Sequence, residues 1–311
     1  MTITVRTEGI GPSAVFALPW LVADELGYFA EEGIEVEFVR NRAEQVLTEP
    51  VADHELVDSI RNHVPFEEGQ VDVYRACEWG QIRRAADSRR GAKIFGKRSS
   101  VAVMALMSAP GSPYTYPQTL AGEPIAVSFH NGNHYAAIQM LEGFLEAGEI
   151  KAVGYHTIDG YRAVQAGEAA VVALSEPWIT LAEKQGFQKV IETHYAGLEL
   201  AAPNFDHDVY LGCNRAITRA VADINADKRA YLHYLIDSLP AVFAGEITPA
   251  DFHLPRLRYV KPEPYTHLEF EKAYSWMRRW GLIESGSRYE DLVFPGPGTE
   301  ADAEADADAA R

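Results

Sequence analysis

The sequence predicts an α/β protein of two lobes, each a parallel sheet with helices on its faces, with a ligand cleft between the lobes. Three observations lead there. Segments of strand and helix periodicity alternate along residues 1–200, which is the pattern of parallel α/β units. A loop-rich stretch at residues 109–120 (APGSPYTYPQTL) divides that run in two. Beyond it, residues 209–214 (VYLGCN) read as a strand returning the chain to the first unit. The expected division is 1–107 with 206–295 for lobe I, 108–205 for lobe II, and 296–311 as an acidic tail.

The elements follow in order. Residues 2–7 alternate and read as a strand; residues 15–28 carry Phe16, Leu18, Leu21, Val22 and Leu26 at helical spacing. Gly33 closes a turn into the alternating strand IEVEFV at 34–39. Residues 44–57 are weakly helical. A turn at Gly69 leads to a strand ending at Tyr74, and residues 93–95 and 101–107 are further strands. In the second half, 124–129 (PIAVSF) is a buried strand, 134–147 an amphipathic helix, 154–157 a strand, 160–166 a short helix and 169–175 (AAVVALS) a strand. Residues 228–243 and 270–281 read as amphipathic helices.

Composition narrows the function. The net charge is −17, and the tail EADAEADADAAR holds five acids against Arg311. Without branched apolar or aromatic residues the tail is expected to be disordered. The body is still acidic, which argues against nonspecific nucleic-acid binding. It leaves room for an anionic ligand held by a local cationic cluster. No apolar run is long enough to span a membrane. Cys77 and Cys213 stand alone, without metal spacing or a disulfide framework, so neither a metal nor another cofactor is expected.

Strand, Gly/Pro/Ser loop, helix and then LGYFAEEGIEVEFV at residues 26–39 resembles the opening of the SsuA/THI5-like solute-binding proteins. GQVDVY at 69–74, TLAGEPIAV at 119–127 and Glu176-Pro177-Trp178 resemble later landmarks of that family. The resemblance covers residues 1–295 and implies the periplasmic-binding-protein type II fold. It implies a small anionic or aromatic ligand and, for an exported protein, an ABC permease as partner. Residues 1–20 show no basic n-region, apolar h-region, cleavage site or lipobox cysteine, so a cytoplasmic protein is expected. A narrower similarity is to the cytosolic 2'-hydroxybiphenyl-2-sulfinate desulfinases of that superfamily, which are enzymes. His63, Phe66 and Arg75 match their His, aromatic and catalytic Arg, with two extra residues before Arg75. Their catalytic Cys aligns with Ala14, beside Ser13. The CCCFC motif of the related thiamine-precursor synthases is absent.

In such folds ligands bind beyond the carboxyl ends of strands, and this selects the candidate residues. Arg75 is expected just after its strand, as a bidentate clamp for a carboxylate, sulfonate or sulfinate; the alternative is an ion pair with Glu78 or Asp72. Trp79 stacks on a flat ligand or packs in the core. Cys77 is a nucleophile if a cation or helix N-terminus lowers its pKa, and otherwise a small buried hydrophobe. His63 and His130 are candidate proton carriers, with Ser13 a second candidate nucleophile. HNGNH at 130–134 opens a helix, where Asn131 and His134 are expected to meet the ligand or to cap. Glu176 and Trp178 are expected to face the ligand from lobe II, or to cap a helix and seal the core. Two functions stand. One is a cytosolic lyase or hydrolase of desulfinase or decarboxylase type, cleaving a C–S or C–C bond. The other is the substrate-binding component of an ABC importer for sulfonate- or nitrate-type anions or a pyrimidine precursor.

Overall fold

The computed structural model describes residues 2–8, 14–39, 49–60, 63–284 and 286–296. Ser13, the first part of the weakly helical stretch and the acidic tail beyond Gly296 lie outside the described residues.

The N-terminal unit forms as its pattern dictates. Strand β1 (Ile3–Glu8) is followed by α1 (Ala14–Glu25), a short α2 (Tyr28–Glu31) and β2 (Ile34–Val39). Gly27 and Gly33 take φ of 74° and 73° at the two turns, a conformation that disfavours a Cβ. The chain then passes a single helical turn at His54–Leu56 and α3 (Val64–Glu67) to β3 (Val73–Cys77), α4 (Glu78–Asp87) and β4 (Lys93–Lys97). The second half holds β5 (Ser100–Ser108), β6 (Pro124–Val127), α5 (Gly132–Leu141), β7 (Lys151–Gly154), α6 (Thr157–Ala166), β8 (Val171–Leu174), α7 (Trp178–Lys184) and β9 (Gln188–Tyr195). The chain ends with β10 (Gly197–Ala201), α8 (His207–Ala226), a short α9 (His233–Ile236), β11 (Arg258–Tyr259), α10 (His267–Arg279) and α11 (Tyr289–Leu292).

Two sheets result. The first runs β2-β1-β3-β10-β4 and the second β11-β5-β8-β6-β7, with β9 also paired to β5. Neither is wholly parallel, contrary to expectation. β10 runs antiparallel to β3 and β4, and β5 antiparallel to β8, β9 and β11. The chain crosses to the second sheet between Lys97 and Ser100 and back between Tyr195 and Gly197, and reaches the second sheet again at β11. The two crossovers are tied together by Arg98 N donating to the Gly197 carbonyl at 2.7 Å. The return to the first sheet is therefore made by β10. Residues 209–214, expected as that strand, lie in the 20-residue α8. Residues 228–243 are not one helix; short turns and Pro240 break them up.

One strap joins the halves. In residues 49–60, between β2 and β3 of the first sheet, Val51 pairs antiparallel with Gly154 at the end of β7 in the second sheet. Val51 N donates to Gly154 O at 3.1 Å and Gly154 N to Val51 O at 2.6 Å. A Cβ on Gly154 would press into the Phe129 ring, so glycine permits this approach.

Candidate functional site at the sheet junction

Three arginines are buried where the sheets meet. Arg75 lies in the middle of β3, not after it, and is 3% exposed. Its Nη1 donates to Thr7 Oγ1 at 2.7 Å and its Nη2 to the Glu8 carbonyl at 2.8 Å. Its Cζ lies 4.6 Å from the Trp20 ring centroid. Burial lowers its pKa, against the opposing pull of Glu199 and Glu8. Glu199 stands opposite it on β10 and accepts from Trp20 Nε1 and Tyr210 Oη at 3.1 and 3.0 Å. The expected ion pair with Glu78 is not formed; Asp72 pairs with Arg6, and Glu78 accepts from Tyr265 Oη. Two of Arg75's three nitrogens therefore fasten the end of β1, which weakens the reading of Arg75 as the ligand clamp.

Arg84, on α4, donates from Nε to the Ser59 carbonyl at 3.1 Å, and from Nη2 to the His130 carbonyl at 2.9 Å and Asn131 Oδ1 at 3.0 Å. Arg98, at the first crossover, donates from Nε to the Ser100 carbonyl at 3.0 Å, and its Cζ lies 3.7 Å from the Phe16 ring centroid. Burial pushes it down to about 10. Arg84 Nη1, Arg75 Nε and both Nη atoms of Arg98 are buried without a hydrogen-bond partner among the described residues. Since buried donors are normally satisfied, this concentration marks a place suited to an acceptor.

Cys77 sits among these cations as the N-cap of α4. Its Sγ accepts from Gly80 N at 3.3 Å. Burial raises its pKa, outweighing Arg84 and Arg98. It is held as a thiol, so the nucleophilic thiolate expected of a lowered pKa is not supported. Trp79 packs on Tyr135, Tyr195 and Trp276 with centroids 5.9, 5.4 and 5.8 Å away. That makes it a core residue rather than a ligand platform.

The histidines form two groups. His63 is 1% exposed and lies against Tyr74, with ring centroids 3.3 Å apart. Neither of its ring nitrogens has a partner among the described residues, and burial then Arg84 lower its pKa well below 6.5. His54, His130 and His134 pack together, with centroids 5.6–6.2 Å apart. His130 has φ 59°, a strained value for a side-chain-bearing residue. It is held at both ends: its Nε2 lies 2.9 Å from the His54 carbonyl, and its own carbonyl takes the Arg84 bond. Burial brings His130 down to about 4, and burial, then His130 and His54, lower His134 well below 6.5. Asn131 opens α5 by position, but its side chain bonds Arg84 and Ser128 Oγ instead of capping. Among the described residues, no three of His, Cys, Asp and Glu are arranged to hold a metal ion.

Glu176 and Trp178 are engaged with the protein itself. Glu176 is 0% exposed and accepts from Thr180 N and Oγ1 at 3.1 and 2.8 Å and from Arg256 Nη1 at 3.4 Å. Trp178 packs on Tyr161 and Phe243. Both follow the capping-and-core alternative. The junction thus brings together His63, Arg75, Cys77, His130, Asn131 and His134. Arg84, Arg98 and Tyr195 were missed. The only signal was a basic residue between two strands at Arg98, and it does not distinguish a buried guanidinium from a turn at the surface.

No family model matches the sequence, and no curated protein matches it significantly. Solved structures do match. The periplasmic aliphatic sulphonate-binding protein SsuA of Escherichia coli superposes with a TM-score of 0.68 at 14% identity, covering 94% of this chain and 98% of that one. The alkanesulfonate-binding protein SsuA of Xanthomonas axonopodis pv. citri gives 0.67 at 12% identity, over 91% and 94%. The desulfurization enzyme DszB gives 0.62 at 12% identity, over 98% and 99%. Among the described residues no helix is long and apolar enough to cross a membrane. The chain has the two-lobed periplasmic-binding-protein type II fold, shared by sulfonate-binding proteins and by a desulfurization enzyme.

Proposed function

We propose that the protein is a cytoplasmic enzyme that holds a small organic anion between its lobes and cleaves the C–S or C–C bond joining the acid group to the rest of the molecule. The observation that carries this is the set of buried guanidinium donors without acceptors among the described residues at the sheet junction, next to neutral imidazoles. Such cleavage leaves an electron pair on carbon, which must take up a proton as carbon dioxide departs. With a sulfinate, the sulfur also takes hydroxide from water and leaves as hydrogensulfite. A fixed cation neutralises the acid group, and a positioned group moves the proton. His63 and His130 are the proton carriers in this reading, and Cys77, held as a thiol, is a further proton donor.

The likeness to sulfonate-binding proteins supports a second reading, the substrate-binding component of an ABC importer. One experiment separates the two. Purified protein is incubated with aryl sulfinates, aromatic carboxylates and pyrimidines, and products are followed by mass spectrometry. Product that disappears with His63→Gln or His130→Gln supports the enzyme. Tight binding without product from any bound compound, together with recovery of the protein outside the cytoplasmic fraction of its cells, overturns it in favour of the receptor.

A further inference from the structure

We infer that Arg98 is the residue that grips the ligand's acid group, and that this group is one presenting two oxygens to a planar fork, an organic carboxylate or sulfinate. The inference rests on the reading of the junction as an anion site and names the residue that makes it one.

Of the three buried guanidinium groups, only Arg98 keeps a whole fork. Arg75 spends both Nη atoms on Thr7 and Glu8, and Arg84 spends Nε and Nη2 on Ser59, His130 and Asn131. Arg98 spends only Nε, on the Ser100 carbonyl, and its Nη1 and Nη2 are unpartnered among the described residues at 2% exposure. Its plane is fixed. The group lies on the Phe16 ring, faces Tyr195 at 5.8 Å, and crosses so close to Gly197 that a Cβ there would collide with it. A carboxylate or sulfinate meets such a fork with two parallel charged hydrogen bonds.

The protein's own carboxylate does not fill the role. Glu199, whose charge Arg98 feels, is already bonded to Trp20 and Tyr210. Two further donors stand nearby. Ser100 and Tyr259 are direct partners across the β5–β11 pair, and their hydroxyls are also buried without partners among the described residues. Arg98 also sits on the crossover bonded to its twin at Gly197. An anion gripped here is held at the joint of the two sheets, within electrostatic reach of Cys77 and Arg75.

The test uses calorimetric titration of the full chain with benzenesulfinate and benzoate, and with neutral benzamide as control. At least one acid is expected to bind, about a hundredfold more weakly to Arg98→Met. Arg98→Lys, which keeps charge but loses the fork, is expected to weaken binding about tenfold, and Tyr259→Phe less. Arg98→Met that melts like the parent and binds the acid within about twofold of it overturns the assignment. Should Arg98→Met not fold, the same outcome in Arg98→Lys overturns it. Acid binding lost in Arg75→Lys yet kept in Arg98→Lys overturns this assignment alone. Failure of the parent to bind either acid overturns the anion reading together with it.

Discussion

Arg256 and Arg98 are both buried, at 6% and 2% exposure, and their surroundings are opposite. Arg256 is enclosed by carboxylates: Nη1 on Glu176, Nη2 on Glu183 and Nε on Glu192 at 3.1 Å. Burial opposes its charge, but Glu183, Glu176 and Glu192 more than restore it, and its pKa is raised. Arg98 has an aromatic ring and carbonyls around it, and its pKa is lowered. The first cluster is complete when the chain folds. The second is complete only with an acceptor the chain does not provide from its described residues. The difference separates a buried cation that serves architecture from one available to a ligand.

The largest effect should come from breaking the complete cluster. Arg256→Met leaves Glu176 buried with only Thr180 for company, and a buried carboxylate stripped of its cation typically costs about 3–5 kcal/mol. Glu176, already raised by burial, will moderate that by taking a proton. Arg98→Met removes a charge with no carboxylate bonded to it. Without ligand, its unfolding free energy should stay within about 1 kcal/mol of the parent. Urea denaturation of both variants checks the contrast, and an Arg98→Met loss as large as that of Arg256→Met would erase it.

pH sharpens the comparison. His130 is lowered to about 4 from 6.5, and His63 and His134 are lowered too. Each binds a proton more readily unfolded than folded. Stability is therefore fully present above about pH 6.5 and lost as pH falls toward 4, by up to about 3 kcal/mol from His130 alone. Glu78 works the other way. Burial raises it to about 7 from 4.5 despite the Tyr265 hydrogen bond, so the folded state holds its proton longer. Stability then falls as pH rises through that window, by about 2–3 kcal/mol at most. These windows overlap, so between pH 4.5 and 6.5 the Glu78 loss offsets the His130 gain, and the net rise there is that of His63 and His134. Denaturation midpoints at pH 4.5, 6 and 8 should therefore rise more steeply in Glu78→Gln than in the parent, and a profile that substitution leaves unchanged would place the opposing titration on another group.

The smallest effect concerns Cys77. It is 2% exposed and kept as a thiol, so it should react with a thiol reagent only as the protein opens. Cys77→Ala should cost about 1 kcal/mol or a little more. Rapid labelling in native buffer would show an accessible thiolate and reopen its reading as a nucleophile.

The opening of the chain was readable because its signals are local: alternation at residues 34–39 and glycines where φ turns positive. Arg75 was placed just after a strand ending at Tyr74, but β3 begins at Val73 and runs on to Cys77, while Val71, though buried, precedes it. Residues 209–214 look like a strand in a six-residue window. The full pattern of Val209, Cys213, Ala216, Ile217, Ala220, Val221 and Ile224 on one face, behind the Asp206 cap, is helical. β10 was missed because GLELA carries a central Glu. That Glu is stabilised by partners outside the strand, Arg75 across the sheet, Trp20 far along the chain and Tyr210 on α8. Arg84 and Arg98 were illegible for the same reason. Nothing local tells a buried guanidinium from a surface one; burial is set by sheets that meet through distant contacts.

The pairing of Val51 with Gly154 also bears on how readily a ligand gains entry. Parting the strap from β7 breaks two backbone hydrogen bonds and the contact between His130 and the His54 carbonyl, at a net of about 1 kcal/mol each. The parted state would then make up roughly 1% of molecules or fewer. A ligand admitted only through that minority enters and leaves about a hundredfold more slowly than through an open cleft, with its equilibrium affinity unchanged. Val51→Pro, which removes one of the donors, should speed amide hydrogen exchange at Gly154. It should also speed both association and release of a bound acid without touching any group that meets the ligand.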